Sequence, residues 1–208
     1  LRYAFLQNTN LTGANLSYAD LSNANLTGAN LLYADLLYAN LRFADLSGAY
    51  LTGADMRDAN LYGANLSSAT LSNANLSNID LTGAVMRGTI LDNADLSNAD
   101  LTGAYLKYAF LQNTNLTGAD LSNANLTGAY LNNANLTGAN LLYADLLYAY
   151  LSNADLSNAD LSGADLSNAD LRNANLTGAD LTDIYWYNTI CPDGTNSDDN
   201  GNTCENNL

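Results

Sequence analysis

The residue types that usually carry chemistry are unevenly supplied in this chain. Its 208 residues include no histidine, so the commonest general base and metal ligand is missing and a Ser-His-Asp arrangement cannot form. Carboxylates are plentiful: Asp and Glu number 21 against 6 Lys and Arg, for a net charge of −15. They recur along a repeat instead of converging on a pocket, so nothing is expected to shift their pKa values into a catalytic range. Serines and threonines are equally repetitive and stand with no base beside them. The chain therefore reads as non-enzymatic, with no cofactor and no metal site. Asn196, Asp198, Asn200 and Gly201 imitate the start of a calcium loop, yet Asn207 holds the place of the bidentate glutamate. Turn-forming residues are the simpler reading. The remaining reactive pair is Cys191 and Cys204. Two cysteines around a Gly/Asn/Asp-rich turn read as a disulfide worth about 3 kcal/mol in the chain-entropy model, with two free thiols as the alternative.

The elements that position these residues follow from one spacing. Leucine recurs every fifth residue from Leu1 to Leu181, broken only by Met56 and Met86. Two positions before nearly every leucine stands alanine, with Asp or Asn between, as in Ala14-Asn15-Leu16-Ser17-Tyr18 and Ala94-Asp95-Leu96-Ser97-Asn98. A period of five fits neither a helix nor an ordinary strand, and calls for a solenoid. About three dozen such units in one register give the chain its resemblance to the pentapeptide repeat family, over roughly residues 1–190. That resemblance implies an all-β solenoid, a right-handed quadrilateral β-helix with four pentapeptides per coil, about nine coils here. It also implies that the leucine and the alanine point inward and the other three positions face solvent. It implies no single biochemical activity.

Two domains are expected: the repeats, 1–190, and a C-terminal tail, 191–208, of different composition. The lone proline, Pro192, lies in the tail, consistent with a ladder that needs every backbone donor. Tyr185 and Trp186 precede the tail, and Trp186 occupies a leucine position where it is too large for a stacked tier. The expectation is a lid over the solenoid end, closed by a Cys191–Cys204 bridge. Residues 79–90 are the least regular, with Ile79 and Thr89 in place of inward alanine and Met86 in place of leucine. A slight widening of the coil is expected there.

With twenty residues per coil, positions twenty apart stack about 4.8 Å apart. One outward column reads Asp20, Asn40, Asn60, Asp80, Asp100, Asp120, Asn140, Asp160, Asp180, with no apolar member. Two sides away the column reads Asn10, Asn30, Tyr50, Thr70, Ile90, Phe110, Tyr130, Tyr150, Asp170. An acidic face should therefore lie opposite an aromatic ladder. Ile90, Phe110, Tyr130 and Tyr150, with Tyr108, Leu147 and Tyr148 beside them, form a candidate interaction patch; bracing of the coil edge by stacked rings is the alternative.

Charge narrows the partners. Six scattered cations do not make a phosphate-binding surface, so nucleic acid is not an expected ligand. No apolar run is long enough for membrane insertion. A protein with a basic or apolar surface, or a second copy, is the expected partner. Some members of the resembled family mimic duplex DNA and bind type II topoisomerases, and the acidic column keeps that cytoplasmic role as the alternative. The charge of −15 spread over roughly 43 Å is about half the density of duplex DNA. The tail is similar to the cysteine-bracketed tails of cyanobacterial members, which implies export to the periplasm or thylakoid lumen and a leader ahead of Leu1. No uninterrupted threonine column appears, which makes ice binding remote.

Overall fold

The computed structural model describes residues 1–204. Its order comes from a complete disposal of the five backbone N–H groups wherever the repeat keeps its Asp or Asn. In the unit Ala94–Asn98, the Ala94 N–H donates to the Leu91 carbonyl at 2.9 Å, closing a turn. The Asp95 N–H donates to Ala74 of the preceding coil at 3.0 Å, and the Leu96 and Asn98 N–H groups donate to Asn115 and Thr117 of the next coil at 2.7 and 2.9 Å. The fifth donor, the Ser97 N–H, is taken by the Asp95 side-chain Oδ1 at 3.0 Å. Buried backbone donors left unpaired would be costly, and here none is left over.

The result is a four-sided coil. Parallel bridges join residues twenty apart without a slip, from Phe5–Asn25 through Asp170–Ile190. Each side contributes one flat residue between two turns, so the pairing is a stack of isolated bridges instead of long strands. The corner has a left-handed residue two after each leucine, for example Asn98 at φ 55° and Gly103 at φ 63°. Positive φ at that position, with an N–H to C=O bond across three residues, is the mark of a type II turn. Asn and Gly tolerate it; Tyr33 and Tyr143, both at φ 56°, adopt it at a cost of about 1–2 kcal/mol. Tyr33 leans over Gly53 of the next coil, where a Cβ would meet the ring at 2.6 Å. There the glycine is required by the neighbour as well as by its own φ.

Leucines and alanines fill the axis. From Leu21 to Leu171 every leucine-position residue is buried, Met56 and Met86 included. Leu6, Leu11 and Leu16 of the first coil are only partly buried, because a coil packs against them from one side alone. The implied exposure of the three remaining positions needs correction: the residue after the leucine tucks against the wall, and Ser22, Ser122 and Thr127 are buried. The irregular segment keeps its register. The accommodation of Ile79 and Thr89 is confined to their turn bonds, which lengthen to 3.3 and 3.2 Å, and the buried Thr89 hydroxyl is satisfied by the Leu66 carbonyl at 2.8 Å.

Because each leucine is packed between tiers that cannot collapse independently, Leu96→Ala should cost about 2–5 kcal/mol of unfolding free energy, measured by denaturant titration.

Candidate interaction surfaces

The C-terminal end is built by a second set of inward substitutions. Thr189 stands where the repeat has alanine; its hydroxyl bonds the Leu166 carbonyl at 2.8 Å and the Trp186 carbonyl at 2.7 Å. The Ser197 hydroxyl donates to the Trp186 carbonyl and accepts the Thr189 N–H at 3.0 Å. Both residues are fully buried. The chain then doubles back through an Ile190–Asn196 antiparallel bridge and a short 3-10 helix, Ser197–Asn200, capped by the Asn196 side chain. Cys191 and Cys204 are joined in a disulfide with Cα atoms 5.3 Å apart, and both are buried. Trp186 is buried, whereas Tyr185 is 66% exposed. Tyr185 is thus no part of the lid: it occupies the outward slot of the repeat, paired with Asp165, and its side chain faces solvent. Ser197 and Thr189 were not singled out in the sequence: Ser197 resembles an ordinary turn residue, whereas Thr189, like Thr89, stands in the inward alanine register, and that departure was the available signal. The calcium-loop imitation dissolves into this turn: Asn196 caps the helix and Asp198 accepts the Asn188 N–H at 2.7 Å. Asn207 lies outside the described residues. No cluster of three potential metal ligands occurs among the described residues.

Along the acidic column the carboxylates have backbone duties. Asp80, Asp100, Asp120, Asp160 and Asp180 each accept the N–H two residues on, at 2.9–3.0 Å. Hydroxyls do stand beside carboxylates, contrary to the sequence reading: Thr82 donates to Asp80 at 2.8 Å and Thr182 to Asp180 at 2.6 Å. These are not activated nucleophiles. The hydroxyl bonds from Ser22 and Thr182 hold the Asp20 and Asp180 carboxyls below the usual value, making them weaker bases, and the hydroxyl proton stays where it is. Asp80, Asp100 and Asp120 pair directly in successive bridges. Where Asn follows Asp in this column its amide spans the coils, as Asn140 does to Asp120 at 3.2 Å. The Asp80–Asp100–Asp120 run has like charges instead.

On the opposite side, Phe110 and Tyr130 stack with centroids 5.0 Å apart and planes 5° apart, and Tyr130 and Tyr150 with 4.9 Å and 3°. Ile90 pairs with Phe110 at the head of this ladder. Tyr108 and Tyr148 sit exposed on the adjoining corner. Leu147 is only half-exposed, because its position after a leucine draws it against the wall, its N–H held by Asp145 at 3.1 Å. The ladder has displaced the side-chain acceptor that Asp or Asn supplies elsewhere. The N–H groups of Asp92, Asn132 and Ser152 have no such partner, and that of Gln112 reaches Asp92 of the previous coil at 3.3 Å.

Eight copies of the family model for pentapeptide repeats match residues 4–36, 39–78, 79–118, 114–146 and 149–184. The chain belongs to the pentapeptide repeat family. Among solved structures it is similar to HetL, a pentapeptide repeat protein involved in heterocyst differentiation regulation from the cyanobacterium Nostoc sp. strain PCC 7120. The two are 39% identical over 93% of this chain and 91% of that one, with a TM-score of 0.68. QnrB1, a plasmid-mediated fluoroquinolone resistance protein, aligns at 23% identity over 87% of this chain and 90% of that one, with a TM-score of 0.46. A pentapeptide repeat protein from the Arabidopsis thaliana thylakoid lumen aligns at 28% identity over 62% and 65%, with a TM-score of 0.28. No curated protein matches the chain. Solved members of the family imply a right-handed quadrilateral β-helix, in agreement with the twenty-residue register.

An asparagine at position 100 would retain the Oδ1 acceptor and bring an amide donor toward Asp80. Asp100→Asn should leave stability unchanged or raise it by up to about 0.5 kcal/mol, since like charges directly opposite are unfavourable; Asp100→Ala should lower it. Thermal unfolding of the two variants side by side is the measurement.

Proposed function

We propose that this protein is a non-enzymatic structural or protein-binding scaffold, a rod of about nine coils spanning residues 1–190 whose end is sealed by residues 191–204. Its contact face is the side bearing Ile90, Phe110, Tyr130 and Tyr150, with Tyr108, Tyr148 and the half-exposed Leu147. The observation that carries this reading is the forfeited acceptor. Two ring stacks contribute about 1 kcal/mol each. Against them stand four Asp or Asn acceptors given up, at about 1 kcal/mol net each, of which one is replaced. The stacks offset part of that loss, and a partner covering the rings would offset more. The buried disulfide supports an oxidising compartment, the periplasm or thylakoid lumen. No helix among the described residues is long and apolar enough to cross a membrane.

The partner under this reading is a protein with a complementary basic or apolar surface, or a second copy of the chain. Tyr130→Asp and Tyr150→Asp should weaken that association, read by cross-linking and sedimentation of the full chain, while the circular-dichroism melt still reports a folded coil. Variants that lose fold stability and leave association unchanged would make the ladder an internal brace.

A second reading is an acidic DNA mimic acting on type II topoisomerase in the cytoplasm, and the Asp80–Asp100–Asp120 ladder favours it. Substituting all three by Asn removes charge while retaining the turn acceptors. In a gyrase supercoiling assay the scaffold reading expects no inhibition or protection by either form. Potent inhibition lost in the triple variant would replace the scaffold reading with the mimic.

A further inference from the structure

Beside the aromatic ladder the wall is interrupted by a shallow, open depression of about 620 Å³, lined by Ser67, Ser68, Arg87, Gly88, Tyr108, Phe110 and Tyr130. The sequence makes it in three steps. Down the corner column, Ser68 and Gly88 are small, and a Cβ placed on Gly88 would have open space around it. The next residue in that column, Tyr108, leans the other way, across Gly128 of the following coil, where a Cβ would lie 2.6 Å from its ring. The Phe110 ring likewise stacks on Tyr130, toward the C-terminal end. A hollow is thus left over Gly88, with hydroxyls from Ser67 and Ser68 on one side and rings on the other.

Arg87 is the cation in its lining, and Lys107 follows one coil on. Arg87 and Lys107 occupy the same position on successive coils, their carbonyls accepting the Ser68 and Gly88 N–H groups at 3.0 and 3.1 Å. Lys107 Nζ lies 5.2 Å from the Tyr108 ring centroid. Among the described residues the ion pairs are Arg57–Asp55 and Arg172–Asp170, so Arg87 and Lys107, like Arg2 and Arg42, have no carboxylate partner there. Asp92, on the far corner of the ladder's face, is engaged by the Gln112 N–H. Two free cations beside exposed ring faces and hydroxyls are suited to a carboxylate next to a flat apolar group.

We propose that this depression docks an acidic segment of a partner protein, in which an aromatic side chain enters the hollow over Gly88 while neighbouring carboxylates meet Arg87 and Lys107. The inference rests on the protein-binding reading above and departs from its basic or apolar partner at this one place, where the local cations call for acidic groups. A second copy is the poorer occupant, because its net charge of −15 brings many carboxylates within reach of this chain's own, whereas a short segment brings only the few that meet Arg87 and Lys107.

The test is calorimetric titration of the full chain with three capped tetrapeptides: alternating Glu-Phe, alternating Lys-Phe and alternating Glu-Ala. Saturable binding is expected for Glu-Phe only. It should weaken at least tenfold in Arg87→Glu and in Tyr130→Asp, weaken with added salt, and persist in Asp100→Asn on the opposite face. Arg87→Gln serves in place of Arg87→Glu should the charge reversal disturb folding, with a smaller loss expected. No binding of Glu-Phe, equal binding of Lys-Phe, or indifference to the Arg87 variants would overturn the inference. The two readings fail separately: if Tyr130→Asp abolishes association of the full chain and Arg87→Glu leaves it intact, the contact face stands and the acidic partner does not.

Discussion

Every coil of this protein depends on one kind of local hydrogen bond, from the N–H after the leucine to the Oδ1 of the Asp or Asn before it. A five-residue unit that turns a corner sends three N–H groups to neighbouring coils and one across its own turn. The fifth points at no carbonyl. Asp or Asn supplies the missing acceptor from two residues away, with the reach of an Asx turn. The A-[DN]-L pattern is therefore a rule of backbone satisfaction before it is a rule of charge. Asp and Asn do the duty equally, as Asp95 toward Ser97 and Asn115 toward Thr117 illustrate.

That equivalence frees the surface to vary. Since an Asn satisfies the turn as well as an Asp, runs such as Asp80, Asp100 and Asp120 add negative charge that the turn itself does not need. Where an apolar residue enters the slot, as at Phe110 or Tyr130, the bond is lost and something else must compensate. The turn position has a parallel freedom. A left-handed φ admits Gly, Asn or, with strain, Tyr, and the choice in one coil constrains the next, as Tyr33 over Gly53 and Tyr108 over Gly128 do. The hollow over Gly88 arises where a run of small residues in one column, Gly28, Gly48, Ser68 and Gly88, meets Tyr108, whose ring leans the other way, over Gly128.

The end of the rod obeys the same accounting. A last coil would expose a tier of leucines and a row of unpaired backbone groups. Trp186 covers apolar area, and its carbonyl is met by Thr189 and Ser197. The Ile190–Asn196 bridge turns the chain back along its own edge, and the disulfide ties that return to the tail.

The period of five, the inward leucines and alanines and the stacking of residues twenty apart were legible in the sequence, because a solenoid has only one way to bury a leucine in each unit. The stacking of Phe110, Tyr130 and Tyr150 follows from that register alone, as does the paired Asp80–Asp100–Asp120 run. Other features needed three dimensions. Whether Tyr185 joins the lid or faces water depends on which way one slot of the coil points, and Leu147 is drawn inward by a wall no pattern of letters describes. Ser197 and Thr189 acquire their roles only when the tail folds back on Trp186. The sequence by itself determined the axis, since periodic burial is a local property repeated. The Trp186 lid and the Cys191–Cys204 bridge were legible too; the tertiary structure alone decided how Thr189 and Ser197 hold that lid and where the hollow beside Arg87 lies, because both depend on how a side chain of one coil leans on the next.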